Sequence, residues 1–280
     1  MKVLGRIAAV VTCVVFLGGC FQVETTVRVN TDGSGTVEER MLMSDMVISQ
    51  IDEMAKAFAG PEGKSEPFSL HDVKALRKRA DEMGAGVKFV SSKAVSGDGY
   101  TGYRAIYSFR DINKLMLSQE GPKKPGEEAG APGKAGGKPF LFRFTPGKEA
   151  RLLIIPPQNE RTEQKAEPQA GSQPAAVGQE GKPALTPEQE REAAEMLKGM
   201  RFSLAIEVNG KVMASNATYR EGGRITVFEF DLGKMGADPE KLLLLKKVDP
   251  NNFAEAKELM KAFPGIKVDI NDRLEVTFAR

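Results

Sequence analysis

The stretch FQVETTVRVNTDGSGTVEERMLM, residues 21–43, alternates apolar and polar side chains on either side of a turn. Phe21, Val23, Val27 and Val29 fall on one face of a strand, with Gln22, Glu24, Arg28 and Asn30 on the other. Thr31-Asp32-Gly33-Ser34-Gly35 supplies residues that tolerate positive φ, and Thr36 to Met43 resumes a strand with Val37, Met41 and Met43 on one face. A period of two on both arms of a turn predicts a β-hairpin with one buried face. A sheet protein is therefore expected from residue 21 onward.

Working outward toward the C-terminus, Ser44 or Asp45 can cap a helix that carries Val47, Ile51, Met54, Ala55 and Phe58 on one stripe and stops at Gly60-Pro61. Ser69 to Met83 repeats the helical spacing with Val73, Leu76, Ala80 and Met83, and Gly84 follows its end. Strands are expected over 87–95 and 100–110, joined at Ser96-Gly97-Asp98-Gly99, then a short helix over 111–117. Phe140, Phe142 and Phe144, the Pro146-Gly147 turn and Arg151 to Ile155 predict a further hairpin. A helix over 187–199 starts at Thr186-Pro187. Asn209-Gly210 and Gly222-Gly223 then separate three strands over 202–208, 211–219 and 224–232, an antiparallel meander. Helices opening at Asp238-Pro239 and Asn252, and a strand through Leu274, Val276 and Phe278, complete the chain.

This order predicts an α+β fold, an antiparallel sheet of hairpins and a meander packed with amphipathic helices and broken by two disordered insertions. Residues 20–118 form its N-terminal part and 187–280 its C-terminal part. Between them lie a flexible linker at 119–138, rich in Gly, Pro, Lys and Glu, a β-hairpin at 139–156, and a disordered linker at 157–186 dominated by Pro, Gln, Gly and Ala. A two-stranded hairpin is marginal alone, so the Phe-rich hairpin is assigned to one sheet shared by residues 21–118 and 188–280.

Working back from Phe21, residues 1–19 read as a lipoprotein signal peptide. Lys2 and Arg6 supply its positive region, and the apolar run from Ile7 to Leu17 falls short of the ~20 residues a membrane span needs. Leu17-Gly18-Gly19-Cys20 resembles the lipobox of bacterial lipoproteins. That resemblance implies cleavage before Cys20, a diacylglycerol thioether on its sulfur and acylation, as by palmitate, of its new amine. Each buried methylene contributes ~0.8 kcal/mol, so two or three chains anchor stably where one does not. Phe21 and Gln22 place no acidic residue after the cysteine. Under an aspartate-based sorting rule, a Gram-negative cell would deliver the protein to the periplasmic side of its outer membrane.

The chain has 40 Lys and Arg against 38 Asp and Glu, and loss of Lys2 and Arg6 with the signal leaves 38 of each. A neutral body has neither the basic footprint of a nucleic-acid binder nor a polybasic membrane patch. Of the two cysteines, Cys13 leaves with the signal and Cys20 is consumed by lipidation, so the mature chain holds no disulfide. With no Trp, the interior is built from Phe, Leu, Val, Ile and the 12 Met.

The strand pair from Val27 to Val37, directly behind the lipobox, resembles the opening of LppM-type envelope lipoproteins. Gly99-Tyr100-Thr101-Gly102-Tyr103-Arg104 running into Phe109 is similar to the middle of that domain. Phe202-Ser203-Leu204, Ser215-Asn216-Ala217, Gly222-Gly223 and Phe230-Asp231-Leu232 are similar to its later meander. The resemblance implies an extracytoplasmic α+β lipoprotein, of a fold that does not by itself fix an activity. The two inserted tracts and the absence of a hydrophobic C-terminal segment depart from it.

No catalytic signature stands out. His71 is the single histidine, beside Asp72 near the start of a helix, with no G-x-S-x-G nucleophile motif to join it, and it reads as a solvated helix residue. Asn30-Thr31-Asp32-Gly33-Ser34-Gly35 has the oxygen ligands of a calcium loop but not its downstream glutamate, and Asp269, Asn271 and Asp272 are the residues a turn requires. Of the adjacent carboxylates, Glu38-Glu39 must point to opposite faces of a strand and Glu127-Glu128 fall in a linker. No cofactor, metal or catalytic residue is assigned; the one assigned site is lipid attachment at Cys20. Met41, Met43, Met54, Phe140, Phe142 and Phe144 fill a core or line an apolar cleft. Two functions follow as expectations: a non-enzymatic, membrane-anchored module that contacts envelope proteins or the cell-wall layer, or a carrier or sensor of a lipid or other hydrophobic ligand.

Overall fold

The computed structural model describes residues 21–59, 67–118, 139–157, 199–235, 263, 265–269 and 271–280. The described chain is dominated by strands arranged in two sheets. The first hairpin forms as its alternation requires. β1 (Phe21–Asn30) pairs antiparallel with β2 (Gly35–Ser44), from Phe21 opposite Met43 to Val29 opposite Gly35. The turn closes through Asn30 N–H to Ser34 O at 2.8 Å, while the Asp32 carboxylate accepts from the Ser34 N–H at 2.9 Å and its hydroxyl at 2.6 Å.

After β2 come α1 (Asp45–Ala59) and α2 (Val73–Glu82), then β3 (Lys88–Gly97) and β4 (Tyr100–Phe109). A 3-10 turn at Ile112–Lys114 leads into β5 (Met116–Leu117). The Phe-rich hairpin is β6 (Phe140–Thr145) and β7 (Ala150–Ile155). The C-terminal part contributes β8 (Arg201–Asn209), β9 (Lys211–Ser215), β10 (Arg220–Glu221), β11 (Arg224–Asp231), α3 (Leu232–Met235), β12 (Ile266–Val268) and β13 (Leu274–Ala279).

The first sheet runs β10-β11-β8-β1-β2-β4-β3, with β12 added to β11; the second runs β5-β6-β7-β13-β9. This corrects the expectation of one antiparallel sheet in two ways. The two parts of the chain join through β1 and β8, which are parallel, with Val27 opposite Ile206 and Val29 opposite Val208. Period-two alternation is the same for parallel and antiparallel partners, and the intervening chain easily exceeds the dozen or so residues a parallel crossover needs. The Phe-rich hairpin does join a sheet shared by both parts, between β5 and β13, but this is a second sheet and not the one that β1 and β8 share.

The expected meander is also corrected. β8 pairs with β11, while β9 leaves at Asn209-Gly210 to pair with β13. A Cβ on Gly210 would lie 2.3 Å from the Ala279 carbonyl oxygen, so the glycine lets the chain turn the corner between sheets instead of doubling back. The Gly222-Gly223 turn does close a hairpin, between β10 and β11.

The sheets enclose one core. Val27, Val29, Val37, Tyr107, Leu204 and Ile206 of the first sheet share a buried cluster with Phe140, Leu152, Ile154, Val276 and Phe278 of the second. One aromatic contact fastens the two sheets, Phe140 stacking on Phe228 with centroids 6.2 Å apart, while Phe144 tilts against Phe278 at 6.4 Å within the second sheet. α2 starts at Asp72, whose carboxylate accepts from the N–H groups of Lys74 and Ala75, and adds Leu76 and Ala80 to the core. The expected linkers at 119–138 and, but for Pro157, at 157–186 lie outside the described residues, as do the helices expected over 187–199, after Asp238 and after Asn252, apart from their outermost residues.

Candidate functional site

Cys20, with the rest of residues 1–20, lies outside the described residues; the described chain opens immediately after it. Strand registers bring the start of β1, the end of β2 and the start of β8 to one end of the first sheet, with Phe21 opposite Met43 and Gln22 opposite Arg201. The rings of Phe21 and Phe202 sit 6.4 Å apart at this end. Beside them Phe263 and Ile266 are buried against Phe230, Leu232 and Val268.

α1 springs from the same end. The Asp45 N–H donates to the Gly99 carbonyl at 2.9 Å, and Ser44 Oγ accepts from the Val47 N–H at 3.4 Å. Of the stripe expected to be buried, only Val47 is; Ile51 and Ala55 are half-buried, Met54 is 45% exposed and Phe58 84%. Met46 is 65% exposed. The helical spacing was legible, but cover thins along the helix from buried Val47 to exposed Phe58, so spacing does not translate into full burial. The Phe68 N–H donates to the Asp52 carboxylate at 2.6 Å, tying the returning chain to the helix.

The opposite faces of Glu38 and Glu39 carry different chemistry. Glu39 points inward, is 1% exposed, and meets Arg79 of α2 and Tyr103 of β4, whose hydroxyl donates to Oε1 at 2.6 Å. Burial, then the charge of Glu39, pushes the Tyr103 hydroxyl pKa well above the usual phenol range. Burial opposes the charge on Arg79, but Glu39 outweighs it and raises its pKa further. Arg79 does not stand out in the helix pattern read from the sequence, and the strand pattern that includes Tyr103 does not pair it with Glu39. The available signal was a carboxylate in the inward register between Val37 and Met41. With its charges mutually satisfied, the cluster pins α2 to the sheet.

Glu38 faces outward, where the sheet is laced with ion pairs. Arg104 Nε lies 2.6 Å from Glu38 Oε1 and Arg28 Nη1 2.7 Å from Oε2, while Arg28 also reaches Glu207 at 3.2 Å. Glu24 bridges Arg40 and Arg201 in the same way. On the outer face of the second sheet, an open cavity of about 380 Å³ is flanked by Arg143, Arg151 and Arg273; Glu275 there is paired with Arg151 at 2.5 Å.

The other residues singled out from the sequence have structural partners. His71 Nε2 lies 2.8 Å from Ser92 Oγ, and Asp72 is spent capping α2. Asp269 accepts from the N–H groups of Thr218 and Asn271, fastening the chain after β9 to the chain that leaves β12. Glu127 and Glu128 lie outside the described residues. Met41, Phe140 and Phe142 are in the closed core with Phe144 packed at its edge, Met43 is buried at the Phe21 end, and Met54 projects away on α1; these six do not line one cleft. Among the described residues no group of three or more His, Cys, Asp or Glu could hold a metal ion, and no helix is long and apolar enough to cross a membrane.

No protein-family model matches this chain, and no curated protein sequence matches it. Among solved structures, it is similar to the NMR structure of the folded domain of LppM from Mycobacterium tuberculosis, at 8% identity over 94% of this chain and 91% of that one, with a TM-score of 0.34. A superposition at that score does not define a shared fold.

Proposed function

We propose that this chain is a bacterial envelope lipoprotein, cleaved before Cys20, acylated there, and acting outside the cytoplasm as a non-enzymatic structural or interaction module. The observation that carries this reading is the lack of slack behind the lipobox. Phe21, the residue after Cys20, is already in β1, opposite Met43 and packed beside Phe202. Acyl chains on Cys20 would hold the sheet end within a residue or two of the bilayer, and two or more chains suffice for stable anchoring. The charged outer face of the first sheet and the arginine-flanked cavity of the second are the surfaces such a body offers to envelope partners. In a Gram-negative cell, the missing acidic residue after Cys20 supports outer-membrane delivery.

Intact mass spectrometry of the membrane fraction tests it, comparing wild type with Cys20→Ser. The expected result is a chain beginning at acylated Cys20, lost in the variant. An unmodified chain that keeps residues 1–19 overturns the reading.

A further inference from the structure

We propose that α1 lies in the interface of a phospholipid bilayer as a second, non-covalent membrane contact beside Cys20; the proposal rests on the lipoprotein reading above. Three observations carry it. Val47, Ile51, Met54, Ala55 and Phe58 recur at helical spacing on one arc, at about 100° per residue. Along this arc Val47 is buried and Ile51 and Ala55 are half-buried, while Met54 and Phe58 are exposed. An aromatic ring 84% exposed at the end of a two-sided helix is a surface in need of a cover.

The second observation is the distribution of charge. Asp45, Asp52, Glu53 and Lys56 all project outside the apolar arc, which is the arrangement of a helix that lies along an interface with its apolar side ~5–10 Å deep. With three acidic residues and one lysine, α1 has no electrostatic pull toward anionic lipid. The cover it suits is the acyl region of a zwitterionic bilayer, reached by apolar burial and insensitive to salt.

The third is position. α1 begins one residue beyond the end of β2, and β2 reaches its end beside Phe21, one strand spacing away, about 4.8 Å. Acyl chains on the residue preceding Phe21 bring this end of the sheet, and the helix with it, to the lipid surface. One anchor point leaves the body free to swivel; a helix docked beside it fixes which surfaces face outward.

The chain contains no tryptophan, so Phe58→Trp introduces a single reporter at a position exposed enough to tolerate it. The full chain is expressed with its own residues 1–20, recovered from the membrane fraction and reconstituted into phosphatidylcholine vesicles with or without brominated acyl chains. Met54→Trp is a second reporter on the stripe, and Leu141→Trp, 43% exposed on the second sheet, is the control. The expected result is that both α1 reporters lose most of their emission in brominated vesicles, at low and high salt alike, while the control does not. Solvent-like, unquenched emission from the Phe58→Trp variant, in a preparation whose mass shows the acyl chains, overturns the helix contact and leaves the anchor standing. Blue-shifted but unquenched emission overturns it too, since another part of the chain or a second copy then covers α1. A preparation without acyl chains overturns the anchor and the helix contact resting on it.

Discussion

Glu39 and Arg79 are joined through both carboxylate oxygens. Arg79 Nε lies 3.0 Å from Oε1 and 2.8 Å from Oε2, and Nη2 lies 2.6 Å from Oε2. The pair links β2 to α2 across 40 residues. Glu39 is fully buried while Arg79 keeps a quarter of its side chain in solvent, so removing the arginine strands the more costly charge. Arg79→Ala is expected to cost about 3–4 kcal/mol and Glu39→Ala somewhat less. The double variant should cost clearly less than the sum, a coupling of about 1–3 kcal/mol. Urea unfolding of the four proteins checks this.

Two tyrosines beside this pair should behave differently. Tyr103 donates to Glu39 at 2.6 Å, whereas the buried Tyr107 hydroxyl has no hydrogen-bond partner among the described residues. Tyr103→Phe is expected to destabilise by about 1.5–3 kcal/mol, the worth of a hydrogen bond to a charged group. Tyr107→Phe is expected to be close to neutral, because it removes a polar atom that burial only penalises. Thermal unfolding of the two variants side by side decides it.

Glu38 gives the outer face an acid-sensitive contribution. The hydrogen bond from Arg104, working against partial burial and helped by Arg28, lowers its pKa from 4.5 to about 2. The folded state therefore holds its proton less tightly than the unfolded chain. The resulting stability is fully present above about pH 4.5 and drains away as pH falls toward 2. Glu38→Gln should cost about 1 kcal/mol at pH 7, the figure reduced by solvent screening of a surface network, and progressively less below pH 4.5. Stability measured against pH for both proteins should show the curves converging in acid.

Gly102 in β4 has no room for a side chain. A Cβ there would sit 2.0 Å from the Met41 carbonyl oxygen and 2.9 Å from Leu42 Cα on the paired strand. Gly102→Ala must push β2 and β4 apart and is expected to cost about 3 kcal/mol or more. Its unfolding midpoint in urea gives the answer directly.

Because β1 and β8 share one core, the N- and C-terminal parts are expected to unfold together. Ile206 is fully buried opposite Val27, so Ile206→Ala should cost about 2–5 kcal/mol. Probes placed in each part, one near Tyr103 and one near Phe230, should report a single coincident transition in wild type and in the variant. Two separated transitions would show that the parts fold independently.

The elements whose signals are local were legible. The 31–34 turn, the Asp72 cap and the alternating faces of β1, β2 and β4 follow from residues that act within a few positions of one another. The proximity of the fold to Cys20 was legible for the same reason, since Phe21 already carries the alternation. The exposure of Met54 and Phe58 was not, because a stripe records that a helix is two-sided and not whether anything covers it.

The sequence by itself determined where the longer described strands and helices form and which residues share a face of each, because φ preferences, capping and side-chain period are properties of short segments. Tertiary structure alone decided that β1 takes β8 as a parallel neighbour, that the chain changes sheets at Asn209-Gly210, and that Glu39 finds Arg79. Those choices are made between segments far apart in the chain. Many strands offer equivalent apolar faces, so the winner is set by how completely all of them bury together, with every buried charge left paired.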